Sequence, residues 1–131
     1  QAQPQPGPSE QDLAQLQGEW ELIVLHATGS IRSIQTIEGN TSTIERYDQQ
    51  GKLLESHRAE FRLEIRDRVR ILTFFDLTIT AGPRQGLTVK EPRSIIYTLN
   101  GNTWVEAHGL LGEPDDRPRL FTWNRITPDS K

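Results

Sequence analysis

Cysteine is absent from this chain, so neither a disulfide nor a thiolate metal site can form in it. Methionine is absent too, even at position 1. That start points to a processed end. The stretch "QAQPQPGPSEQ" has the composition of a linker left when a signal peptide is removed. Export to a periplasmic or extracellular space is therefore the expectation, with a piece of a larger protein as the alternative. No apolar run reaches the roughly 18 residues that a membrane-spanning helix requires. An excess of basic charge is lacking: 15 Lys and Arg face 18 Asp and Glu, for a net charge of −3. A nucleic-acid partner normally demands the opposite balance, so none is expected. Apolar residues are also few, at 34% of 131. One domain of this length can bury one core, here with a large surface or a partly polar interior.

What is present is mostly alternation. Residues 1–8 carry Pro4, Pro6 and Pro8 and read as an extended, disordered tail before a domain spanning 9–131. "SEQDLAQLQG" holds one or two helical turns, with Ser9 as a cap, Asp12 completing an acidic capping box, and Gly18 as a stop. From Trp20 onward the period changes to two. Strands are predicted at 20–27, 30–38, 41–48, 53–66, 69–80, 94–99, 103–109 and 119–126, with a short edge piece in "LTVKEP". The clearest is "LLESHRAEFRLEIR", where Phe61, Leu63 and Ile65 oppose Glu60, Arg62, Glu64 and Arg66. "GPRQG" lacks the Lys-Ser/Thr and the helix of a phosphate loop and reads as a turn. No helix is long enough to cross over a parallel sheet. The expectation is an all-β, antiparallel up-and-down barrel of about eight to nine strands with a short N-terminal helical turn. A two-sheet sandwich is the alternative.

The residues around the first strand carry a resemblance. "LQGEW" sets Gly18 and Trp20 at the point where helical turn becomes strand. Lipocalins and related calycins have the same arrangement, in which the tryptophan plugs the closed end and an arginine of the last strand lies over its ring. The resemblance implies a structural role for Gly18, Trp20 and Arg125. Further stretches are similar to a lipocalin-like family of exported proteins common in planctomycete bacteria. They are the loop Gly82-Pro83-Arg84-Gln85-Gly86, the hairpin at Ile96, Tyr97, Leu99 and Gly101, and the end at Arg117, Pro118 and Phe121. Trp104 stands where leucine is usual in that family, and the chain departs from its pattern after Phe121. The resemblance implies a lipocalin-like barrel and export from a bacterial cell, and brings no established activity.

Candidate chemistry is sparse. His26, His57 and His108 are the only histidines, and their spacing matches no metal motif. No nucleophile motif is present, so no catalytic residue and no cofactor are assigned. Parity is more informative. If Trp20 faces inward, so do Leu22, Val24 and His26. On the later hairpin, Trp104 shares its face with Glu106 and His108, opposite a strand bearing Tyr97. His26 lies about 20 Å along its strand from Trp20, near the opposite end of a barrel. Val24, His26, Tyr97, Trp104, Glu106 and His108 therefore form the candidate ligand-binding set. The ligand would be an apolar or amphipathic small molecule, with the polar groups at the mouth. The competing reading is a non-catalytic interaction module whose barrel is solid and whose rim, or a face such as that of Ile96 and Val105, docks a protein.

Overall fold

The computed structural model describes residues 7–111 and 118–127. The predicted N-terminal tail, apart from Gly7 and Pro8, and most of the loop "LLGEPDDRP" lie outside the described residues. Helix α1 (Pro8–Leu16) is followed by β1 (Gly18–His26), β2 (Gly29–Glu38), β3 (Thr41–Tyr47) and β4 (Leu53–Arg66). Then come β5 (Val69–Ala81), β6 (Thr88–Val89), β7 (Arg93–Asn100), β8 (Thr103–His108) and β9 (Arg119–Arg125).

The helix starts differently from the capping-box expectation. Gly7 is the N-cap and makes no side-chain cap, while Pro8 occupies the first turn. Proline suits that position because its missing N–H would be unpaired there anyway. Asp12 is thereby released for another task.

The strands close into a ring. Consecutive strands pair antiparallel from β1 to β5, β5 passes to β7, β7 to β8, β8 to β9, and β9 returns to β1. Strand β6 hooks onto β5 at Leu77 and Thr78, outside the ring. The fold is thus an eight-stranded antiparallel up-and-down β-barrel with one extra strand and a short N-terminal helix. Hairpin links of a few residues leave this connectivity as the natural one, and closure removes exposed strand edges. One seam is weak. β1 and β2 share a register from Gly18↔Ile37 to His26↔Gly29, whereas β1 and β9 pair only at Trp20↔Arg125 and Glu21↔Asn124.

The two ends of the barrel differ. At one end α1 lies across the floor, with Leu16 fully buried among Trp20, Ile37, Phe61, Leu72, Ile95, Tyr97, Trp104 and Trp123. The Gln17 amide fastens the helix end to the β2–β3 turn, donating to Gly39 O (3.1 Å) and accepting from Gly39 N (2.7 Å). The Glu60/Glu64 face of β4 is solvent-side as its alternation predicts, and the Arg66–Glu64 pair there (3.2 Å) is too exposed to contribute much. In the "GPRQG" turn Gly82 has φ +104, and a Cβ there would meet Leu54 O at 2.7 Å. Only glycine fits that position.

Candidate functional site

The sealed floor is built around Trp20. Its ring is fully buried, its Nε1 donates to Leu16 O at 2.9 Å, and it meets Trp104 edge-on with centroids 5.5 Å apart. The Arg125 guanidinium lies 4.2 Å over the indole, the geometry of a cation–π contact. Arg125 is held there by donating to Gln17 O (2.9 Å), to Gln15 O and to Asn102 Oδ1 (3.1 Å). Gly18 runs beneath it at φ +118, where a Cβ would crowd the guanidinium at 3.3 Å. Gly18, Trp20 and Arg125 therefore act as one structural unit.

Tyr97 and Trp104 also belong to this sealed half. Tyr97 is 1% exposed, and its hydroxyl donates to Asp12 Oδ2 at 2.7 Å. Arg70 Nε donates to the same oxygen at 2.8 Å. Burial, then the hydrogen bond to Asp12, push the Tyr97 phenol well above its ordinary range. Trp104 is fully buried between Trp20 and Trp123. Both residues form the bottom of any interior site.

Above them the interior turns polar. Glu106 is 3% exposed and faces inward opposite Tyr97 and Phe121. Its Oε1 accepts from Trp123 Nε1 at 2.9 Å and lies 3.3 Å from His108 Nε2. The His108 ring stacks edge-on against Phe121, centroids 4.9 Å apart. Glu106 Oε2 is buried and receives no hydrogen bond from the described residues; the same holds for Trp104 Nε1 and Gln35 Nε2, which find no acceptor. Unpaired buried polar atoms are costly, and native domains carry only a few of them.

The candidate set is only partly assembled. Glu106 and His108 are joined, and Val24 is half-buried on the inward face of β1. His26 is exposed and lines a different feature, a cleft of about 220 Å³ between the β1–β2 and β3–β4 turns, with Thr28, Ile31, Asp48, Gln50 and Leu54. That volume is below the usual range of about 300–1,000 Å³ for ligand pockets. Among the described residues no group of histidines and carboxylates could hold a metal ion.

Sequence reasoning missed the opposite wall. Trp20, Gln35, Ile44, His57 and Ile79 are successive cross-strand partners, so His57 faces the interior. Burial lowers the His57 pKa; Arg46 and Arg84 lower it further, against a rise from Glu55. The unfolded chain therefore takes up a proton near pH 6.5 that the folded barrel resists. Stability from this group is complete above that pH and is lost as pH falls from it towards the lowered folded value. Urea midpoints at pH 7.5 and 5.5 are expected to show the loss, and His57→Gln is expected to reduce it.

The chain carries no helix, among its described residues, long and apolar enough to cross a membrane. No protein-family model, curated protein or solved structure matches it. The lipocalin-like character of the chain accordingly rests on the closed eight-stranded barrel and on the Gly18–Trp20–Arg125 unit at its sealed end.

Proposed function

We propose that this barrel is a small exported bacterial binding protein for an apolar or amphipathic molecule. The observation that supports the reading is the asymmetry of its two ends. α1 and the tryptophan cluster seal one end, while the inward residues of the other half (Leu22, Val24, Phe121, His108) stay partly buried around Glu106, whose Oε2 is unpaired among the described residues. A barrel serving only as a rigid scaffold gains nothing from an interior carboxylate with one oxygen unpaired, since an apolar residue would be cheaper there. Export belongs to the same reading, through the lipocalin-like resemblance.

A titration with an uncharged apolar fluorophore, followed by its own emission and by tryptophan emission, tests this. Saturable binding at one site is expected. Val24→Lys, on the inward face, is expected to weaken it at least tenfold, while Ile96→Lys, on the outer face opposite Ile71, leaves it unchanged. Absence of saturable binding across a broad panel of apolar and amphipathic molecules would return the case to an interaction module docking through its outer surface.

A further inference from the structure

Two features left over from the fold lie on either side of the same strand. The first is the gap in the wall. Past Glu21↔Asn124, Leu22–His26 of β1 and Arg119–Trp123 of β9 share no register with each other. Strand edges of this length are normally paired or guarded by charge. Here the flanking outward positions are Ile23 (55% exposed), Leu25 (82%) and Leu120 (73%). The inward residues behind them are Leu22, Val24 and Phe121, all partly buried. The second feature is Glu106, on β8 directly across from Phe121 and so one strand in from the gap.

We infer that the gap between β1 and β9 admits an amphipathic amine whose ammonium group is held by Glu106. The inference rests on the binding reading above and names the ligand's chemistry. An ionised carboxylate only accepts hydrogen bonds. Glu106 Oε1 is taken by Trp123 and His108, and Oε2 is buried and unpaired among the described residues. Its complement is a donor, best a positively charged one, and a primary ammonium offers three N–H donors and no acceptor. A fatty-acid carboxylate in the same place would set like charge against like. Phe121, which already stacks on His108, adds an aromatic face that favours a cation further. The partly buried His108 ring is the door: it swings aside and the ammonium group reaches Oε2 of Glu106. The alkyl chain then lies along Leu22 and Val24, between the lips formed by Leu25 and Leu120. Arg119 works against a cation at the rim, where its guanidinium sits 5.4 Å over the Phe121 ring. The head group must therefore pass inside it to be held.

Dodecylamine, dodecanol and dodecanoate, each below its micelle-forming concentration at pH 7.5, separate the possibilities. At that pH the amine is cationic and the acid anionic. Calorimetric titration of the full chain is expected to show the amine binding at least tenfold more tightly than dodecanoate. Glu106→Gln keeps a side-chain carbonyl for Trp123 and is expected to erase that preference while dodecanol still binds, which also shows that the variant is folded. His108→Ala is expected to strengthen amine binding several-fold. Leu25→Ser with Leu120→Ser is expected to weaken all three ligands together. Dodecanoate binding as tightly as the amine, or an undiminished preference in Glu106→Gln, would overturn the head-group assignment and leave the binding reading standing. Binding of none of the three would sink both.

Discussion

Trp20→Ala is expected to destabilise the barrel by about 3–5 kcal/mol, the usual range for emptying a buried large aromatic site. The side chain is fully buried and contributes to three contacts at once: the hydrogen bond to Leu16 O, the edge-on packing with Trp104, and the seat for Arg125. Its loss leaves a cavity bounded by packed neighbours, because Trp104 is itself wedged against Trp123. A domain of this size has about 5–15 kcal/mol in total, so the change consumes a large share. Urea unfolding is the measurement, and the midpoint is expected to fall with its slope unchanged. Trp20→Phe is expected to cost less, since it keeps an aromatic face under Arg125 and loses chiefly the Nε1 hydrogen bond. An unchanged midpoint in the alanine variant would remove Trp20 from the role of floor plug.

Much of this floor is legible in the sequence, and the reason is local. Trp20 stands where the period switches from helical to alternating, and the inward parity of β1 follows from it. The strand boundaries are legible because the linking turns are short and marked by Gly51, Asp67, Gly82 and Gly101. Trp123 was within reach: placing Arg125 inward also places Trp123 inward, two residues earlier on the same strand. Asp12 was not. Three residues after Ser9 it mimics a cap, but its partners Arg70 and Tyr97 lie 58 and 85 residues away. His57 likewise needs the register of four strands before its orientation is known. The wall gap is invisible in one dimension, because β1 and β9 each alternate well and only their relative placement leaves them unpaired.

The division into floor and mouth explains why polar residues sit inside a barrel of modest apolar content. The sealed half carries the stability, through the tryptophan cluster and α1. Ser33, His57 and Glu106 take inward positions above it, while Gln35 lies beside Trp20 itself. Gln35 shows the compromise: its Oε1 accepts from Ser42 Oγ at 2.6 Å while its Nε2 stays unpaired.

Asp12 ties α1 to the barrel wall beside the buried Leu16, and Asp12→Ala is expected to cost about 2–4 kcal/mol. The carboxylate is 7% exposed and is the shared acceptor for the Tyr97 hydroxyl and Arg70 Nε. Hydrogen bonds to charged groups contribute about 1.5–3 kcal/mol each, and the Arg70 contact is discounted because its side chain is 40% exposed. Removing Asp12 strands a buried phenol without an acceptor, which is the larger part of the loss. Tyr97→Phe alone removes one bond and leaves Arg70 in place, so it is expected to cost less. In the double variant the two losses are expected to fall short of their sum by about 1–3 kcal/mol, the coupling of groups in one network. The alkaline limb gives an independent check. Because the folded Tyr97 pKa is raised, its contribution is complete below the unfolded value of about 10 and is lost as pH rises from there towards the folded one. Unfolding midpoints measured from pH 8 to about 11, on either side of that unfolded value, are expected to decline in the native chain. They are expected to decline less in Tyr97→Phe. Strict additivity of the two substitutions, or identical alkaline limbs, would show that the Asp12–Tyr97 hydrogen bond does not help to hold α1 to the barrel.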